Sequence, residues 1–138
     1  MSRRVLIVED EYIVAADLEA TLANMGYAMI GIAASGEEAV SIAGEQRPDI
    51  VVMDIKLRTA MSGHEAAQII QRQTGAAVIF ITAYAGFRDD RKGMPQAGIW
   101  LSKPFSEDQL KLALDAAGAQ RPANECDSKK IENSSGEY

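Results

Sequence analysis

The chain is poor in the features that mark secreted or membrane-spanning proteins. Cys126 is its single cysteine, so no internal disulfide can form and nothing requires an oxidising compartment. No apolar run is long enough to cross a bilayer, and the first apolar run, Val5 to Val8, is too short for a signal peptide. We therefore expect a cytoplasmic protein that makes no use of a membrane.

Basic residues are too few for a nucleic-acid interface. The chain carries 14 Lys and Arg against 20 Asp and Glu, a formal net charge of -6. Clustered Lys and Arg make the phosphate contacts of nucleic-acid-binding proteins, so we expect no binding to nucleic acid. At 138 residues with ordinary apolar content, the chain falls in the size range of one domain.

Five short apolar runs recur along the chain and predict five strands. They are Val5 to Val8, Ala28 to Ala33, Ile50 to Met53, Val78 to Ile81 and Ile99 to Leu101. Segments with helical periodicity lie between and after them: Tyr12 to Met25, a segment from Ser35 to a point before Pro48, Gly63 to Thr74, and Ser106 to Ala117. Alternating strands and helices imply right-handed crossovers and a parallel sheet covered on both faces, so the fold class is α/β, doubly wound.

Two segments carry weaker signals. Glycines and a proline surround Phe87 to Lys92, which predicts a short or mobile fourth helix between the last two strands. After Gly118 the sequence turns polar. Such a segment buries too little apolar surface to offset the conformational entropy that it would lose on ordering. We expect one domain over residues 1–118 and a flexible C-terminal tail over residues 119–138.

Polar side chains follow the predicted strands, at the edge where ligands bind in a doubly wound sheet. Glu9-Asp10-Glu11 follows the first strand, Asp54 the third, Thr82 the fourth and Lys103-Pro104 the fifth. Carboxylates close together repel one another unless a cation neutralises them, and Mg²⁺ suits a site of few carboxylates, waters and phosphate oxygens. Asp54 is then placed to attack a phosphoryl group, with Lys103 and the Thr82 hydroxyl on its oxygens.

Each of these residues has a plainer explanation when it is taken alone. Asp54 fits a turn or cap, and acids after the first strand fit a solvated helix start. Lys103 fits an ordinary surface lysine, and Trp100 fits core packing as readily as a switching role. Their combined order along the chain favours the chemical interpretation.

Four motifs together resemble the receiver domain of response regulators, of the chemotaxis type. The motifs are Val8-Glu9-Asp10-Glu11, Met53-Asp54, Thr82-Ala83 and Lys103-Pro104-Phe105, and the resemblance covers roughly residues 4 to 117. It implies a flavodoxin-like sheet with strand order 2-1-3-4-5. It also implies that Asp54 is the phosphoacceptor and that Glu9, Asp10 and Asp54 bind Mg²⁺, with the Lys56 backbone carbonyl completing the metal site.

The same resemblance assigns the switching residues. Thr82 is the switch hydroxyl and Lys103 the phosphate-binding lysine. Trp100 occupies the position of an aromatic residue that reorients when Thr82 is drawn toward the phosphoryl group. The run from Phe80 to Tyr84 resembles receivers that work with an alphaproteobacterial class of histidine kinases.

The implied function is that of a stand-alone response regulator in a two-component system. It takes a phosphoryl group from a sensor histidine kinase or a histidine phosphotransfer protein and then changes its surface near the fourth and fifth strands. We expect a monomer or a phosphorylation-dependent dimer that signals to an unknown downstream protein. We expect no enzyme activity beyond catalysis of its own phosphorylation and dephosphorylation.

Other functions compete with this one. A phosphate sink, or a scaffold of the same fold that is never phosphorylated, stays open. An aspartyl-phosphate hydrolase of the haloacid dehalogenase type is disfavoured, because such enzymes carry Asp-x-Asp where this chain has Glu9-Asp10-Glu11. A flavodoxin-like cofactor binder is disfavoured too, because acids stand where a phosphate cradle is needed.

Overall fold

Five parallel strands and four helices make up the described part of the computed structural model, which covers residues 3–55, 61–82 and 99–120. The elements are β1 Arg4–Val8, α1 Tyr12–Asn24, β2 Ala28–Ala33, α2 Gly36–Gln46, β3 Ile50–Asp54, α3 Gly63–Thr74, β4 Ala77–Thr82, β5 Ile99–Ser102 and α4 Glu107–Gln120. The sheet order is β2-β1-β3-β4-β5, and every neighbouring pair is parallel. The predicted α/β doubly wound fold with order 2-1-3-4-5 is confirmed.

The sheet separates two apolar layers. Alternate residues of β1 show the division: Val5 and Ile7 belong to the layer under α1 and α4, and Leu6 and Val8 to the layer under α2 and α3. All six residues of β4 are buried, as expected for a parallel strand covered on both faces. Burial on both faces holds the strands in place. The residues at their carboxyl ends therefore have fixed positions in space.

Side-chain caps mark the starts of α2 and α3. The Ser35 hydroxyl accepts the Glu38 backbone N–H at 3.0 Å at the start of α2. Ser62 and Glu65 form a reciprocal capping box at the start of α3, and left-handed Gly75 ends that helix. These caps define where the chain leaves one element and enters the next.

Several strands run further than their apolar runs predicted. Backbone pairing continues to Asp54 in β3, opposite Ile81, and to Thr82 in β4, opposite Ser102. The hydrogen-bond ladder does not stop where the apolar side chains stop, because its donors and acceptors belong to the main chain. The polar residues at the strand ends are therefore held by the sheet itself.

The C-terminal helix also exceeds its expected length. α4 runs to Gln120, past the domain boundary expected after residue 118. The predicted tail beyond it and the helix predicted at Phe87 to Lys92 lie outside the described residues. Within the described ranges, no helix combines the length and apolar character needed to cross a membrane.

Candidate functional site

An acidic cluster stands at the carboxyl edge of β1 and β3. Glu9 and Asp10 directly follow β1, and Asp54 is the last residue of β3, the strand that pairs with β1. One carboxylate oxygen from each of the three residues lies within 4.8 Å of the others. The structure thus brings together the three acidic residues that the sequence predicted as metal ligands.

Burial makes this cluster electrostatically costly. The Glu9 side chain is only 4% exposed, and this burial raises the pKa of its carboxyl group from the ordinary 4.5 to about 7. The Glu11 backbone N–H, which donates to Glu9 Oε1 at 3.1 Å, lowers the pKa, and the neighbouring Asp54 carboxyl group raises it. The buried Glu9 carboxyl therefore tends to hold a proton near neutral pH until a cation replaces it.

Lys103 supplies positive charge to the cluster. Its Nζ lies 3.5 Å from Glu9 Oε2 and 3.8 Å from Asp54 Oδ2. Its backbone N–H donates to the Thr82 carbonyl at 2.8 Å, which anchors the lysine beside β4 at the end of β5. Among the described residues, this ammonium group lies against the cluster of three carboxyl groups.

The donor set fits a hard divalent cation. All three side chains offer carboxylate oxygens, the ligands that Mg²⁺ prefers. Asp10 and Asp54 are partly exposed, so water can complete the coordination that Mg²⁺ retains in proteins. The fourth predicted ligand, the Lys56 backbone carbonyl, lies outside the described residues.

Thr82 stands beside the acidic cluster on the neighbouring strand. It follows Ile81, whose carbonyl accepts the Ile55 N–H at 3.0 Å and which pairs with Asp54 across the sheet. Thr82 and Glu9 are the two buried polar residues in the part of the chain that the structure describes. The place of Thr82 in the ladder is next to the strand that ends in Asp54, and its role as a hydroxyl donor stays a prediction.

Trp100 makes a specific packing contact. Its ring stacks on the ring of buried Phe80, with centroids 5.0 Å apart and an interplanar angle of 29°. The half-buried indole lies against the apolar layer under α2 and α3. This contact accounts for the packing interpretation of Trp100, and its switching role stays a prediction.

Gly63, which sequence reasoning did not assign to the site, controls how closely α3 approaches Asp54. A Cβ atom at Gly63 would lie 2.6 Å from the Asp54 carbonyl oxygen. Only glycine allows this approach without displacing the main chain of Asp54. A glycine at the first position of a predicted helix was the only sequence signal, and it does not reveal the contact.

The raised pKa of Glu9 predicts an unusual pH dependence of stability in Glu9→Gln. Because the folded protein binds this proton more tightly than the unfolded chain, protonation of Glu9 raises the free energy of unfolding of the wild type. The contribution is complete below pH 4.5 and is lost as the pH rises through about 7. Without divalent cations we expect Glu9→Gln to exceed the wild type at pH 8 by roughly 3 kcal/mol in free energy of unfolding, and the two to converge toward pH 5.

Denaturant unfolding in EDTA at several pH values measures this difference. Mg²⁺ should stabilise the wild type more than Glu9→Gln at pH 8, because the amide is the weaker ligand. A difference between the two proteins that does not change with pH would contradict the account of Glu9.

Comparison with known proteins gives one consistent result. The family profile described as "Response regulator receiver domain" matches residues 5–115. The phyllosphere-induced regulator PhyR of Methylorubrum extorquens is 36% identical over 118 residues, which are 85% of this chain and 44% of PhyR. The transcriptional regulatory protein PdtaR of Mycobacterium tuberculosis is 38% identical over 117 residues, 83% of this chain and 56% of PdtaR. The chain spans about half the length of these relatives.

A solved structure extends the comparison to the site. The receiver domain of a sensor histidine kinase from Pseudomonas aeruginosa has a TM-score of 0.75 and 31% identity, and the match covers 86% of this chain and 99% of that chain. That domain was crystallised with a magnesium ion coordinated in its active-site cleft.

Proposed function

The chain belongs to the family of response regulator receiver domains, and we propose that it accepts a phosphoryl group on Asp54 as part of two-component signalling. One observation carries the proposal. The Asp54 carboxylate lies within 4.8 Å of the Glu9 and Asp10 carboxylates and 3.8 Å from the Lys103 ammonium. A structural aspartate has no need of three other charged groups around it at the end of a buried strand.

The transfer reaction requires a nucleophilic carboxylate beside fixed positive charge. A carboxylate oxygen of Asp54 attacks the phosphorus of a phosphohistidine, the P–N bond breaks, and the imidazole leaves with its electron pair and takes up a proton. Lys103 places its ammonium group where the phosphoryl oxygens arrive, and the Thr82 hydroxyl donates a hydrogen bond to one of them. The product is an aspartyl phosphate on Asp54.

We propose that Mg²⁺ is the cation of this site. Glu9, Asp10 and Asp54 would hold it, and the Lys56 backbone carbonyl is the fourth proposed protein ligand. When bound, Mg²⁺ supplies charge neutralisation for the phosphoryl oxygens. The all-oxygen donor set and the magnesium-bound cleft of the similar Pseudomonas receiver support this proposal.

Phosphorylation would then act through Thr82 and Trp100. A phosphoryl group on Asp54 draws the Thr82 hydroxyl toward it. The movement of Thr82 changes the packing of the side chains near β4 and β5, and so the surface there. Trp100, stacked on Phe80 at the surface of that region, is the proposed second switching residue. The surface change would signal to a downstream protein.

The intact mass of the protein tests the proposed function. After incubation with acetyl phosphate and Mg²⁺, we expect the wild type to gain one phosphoryl group, and EDTA to prevent the gain. Absence of any gain, from acetyl phosphate or from a panel of phosphorylated histidine kinases, would overturn the proposal in favour of a scaffold that is never phosphorylated.

The start of α1 is the surface we propose for docking of the phosphodonor protein. Tyr12 and Ile13 are 78% and 82% exposed, and they follow the acidic residues at the same edge of the sheet. A protein that delivers a phosphoryl group to Asp54 must approach this edge. Burial of these exposed apolar side chains against a partner protein would stabilise the complex.

Ile13→Ser should therefore slow phosphorylation by protein phosphodonors but not by small-molecule phosphodonors. We expect phosphotransfer from a histidine kinase or phosphotransfer protein to slow about tenfold, because one buried aliphatic side chain is lost from the interface. Phosphorylation by acetyl phosphate should not change. Leu112→Ser is the matched control, since Leu112 is 70% exposed on α4. Equal slowing with both donors would contradict the docking role.

A further inference from the structure

The turn at residues 33–37, where β2 passes into α2, contacts both the residue that follows β1 and the residue that precedes the N-cap of α3. On one side, the Ala33 carbonyl accepts the Glu9 backbone N–H at 2.9 Å. On the other side, Glu37 Oε2 accepts the Met61 backbone N–H at 3.2 Å. This turn thus links the residue after β1 to the segment that leads from Asp54 into α3.

Met61 is held from a second direction as well. A Cβ atom at Gly36 would lie 3.0 Å from the Met61 carbonyl oxygen and 3.1 Å from its Cβ and Cγ atoms. Such distances are tighter than ordinary van der Waals contact, so Met61 is packed directly over the main chain of Gly36. The Glu37 carboxylate and the bare Gly36 backbone together form a clamp on Met61.

The clamp connects to Asp54 through two residues. Met61 is followed by Ser62, the N-cap of α3, and by Gly63. Gly63 is so close to Asp54 that a Cβ atom there would lie 2.6 Å from the Asp54 carbonyl oxygen. A shift of the Met61 main chain is therefore passed through Ser62 to the start of α3, which lies against the main chain of Asp54.

We propose that Glu37 is a positioning residue for phosphoryl transfer, because it holds Met61 and through it the main chain around Asp54. This inference rests on the proposed function of Asp54. Glu37 does not touch the phosphoryl group, and its effect is on the geometry of the nucleophile and of the segment behind it. Small displacements of a reacting group cost rate even when the fold is intact.

A purely structural role for Glu37 makes a different prediction. Acids in the first turn of a helix complement its dipole, so any loss of the Glu37 charge would then weaken α2 and retention of the charge would preserve it. A positioning role depends instead on whether the side chain at position 37 is long enough to accept the Met61 backbone N–H. Glu37→Gln keeps an oxygen at the same distance without the charge, and Glu37→Asp keeps the charge but shortens the side chain by one methylene group.

The experiment measures the rate of phosphorylation by acetyl phosphate at saturating Mg²⁺, together with thermal unfolding. We expect Glu37→Asp to slow phosphorylation about fivefold, and Glu37→Gln to stay within about twofold of the wild type. Glu45→Gln removes a charge from the same helix and should change nothing. Gly36→Ala pushes Met61 out of place by a separate route, and should slow phosphorylation although alanine favours the helix.

The outcomes separate the two proposals. If the wild type is phosphorylated while Glu37→Asp reacts at the same rate, or while Glu37→Gln is as slow as Glu37→Asp, the positioning role is wrong and the proposed function stands. If the wild type itself gains no phosphoryl group from any donor, the proposed function fails and the positioning role fails with it.

Discussion

Asp54→Asn is expected to gain no phosphoryl group from any donor, with a loss of rate of at least about a thousandfold. The amide of asparagine is not a nucleophile, whereas its size and shape match the carboxyl group, so the fold should be unaffected. Intact mass and phosphorylation rate with acetyl phosphate and Mg²⁺ provide the measurement.

Asp49→Asn is the matched control for this substitution. Asp49 directly precedes β3, so it lies at the opposite end of the strand that Asp54 ends, and its carboxylate accepts the Arg4 backbone N–H at 2.9 Å. The control should be phosphorylated like the wild type. Phosphorylation of Asp54→Asn at the wild-type rate would show that the acceptor is another residue.

Lys103→Met is expected to slow phosphorylation about a hundredfold, which is typical for loss of one charged group from a transition state. Methionine retains much of the aliphatic stem but removes the ammonium group that lies 3.8 Å from Asp54 and 3.5 Å from Glu9. The phosphoryl oxygens then lose a fixed positive charge. The rate is measured with acetyl phosphate at saturating Mg²⁺.

The affinity for Mg²⁺ should change in the opposite direction. The Lys103 ammonium competes with a bound cation for the Glu9 and Asp54 carboxylates, so its removal should tighten Mg²⁺ binding at alkaline pH, where Glu9 is ionised in both proteins. Lys111→Met is the matched control, because exposed Lys111 pairs with Asp115 on α4. A Lys103→Met protein that reacts as fast as the wild type would contradict the assigned role.

The composition of the site was largely predictable from the sequence. Short apolar runs with β-branched residues show where parallel strands run, and a doubly wound sheet gathers their carboxyl ends at one edge. Glu9, Asp10 and Asp54 follow two such runs, and the structure places their carboxylates together. The fold class followed from the same pattern, whereas the order of the strands followed from the resemblance to receiver domains.

The contacts between these residues and their surroundings were not predictable. The distance from Lys103 to Glu9 depends on how a long side chain crosses two strands, which no sequence spacing encodes. The contact of Gly63 with the Asp54 carbonyl depends on how closely α3 approaches the sheet. The bond from Met61 to Glu37 joins segments 24 positions apart in the chain, and it arises only after α2 and α3 have packed.

The most direct test of the central claim is the position of the phosphoryl group. Wild-type protein is phosphorylated with acetyl phosphate and Mg²⁺, reduced with borohydride, which converts an aspartyl phosphate to homoserine, and analysed by peptide mass spectrometry. The account predicts homoserine at position 54 alone. Homoserine at Asp10 or any other carboxylate, or a phosphorylated protein that yields none, would contradict it.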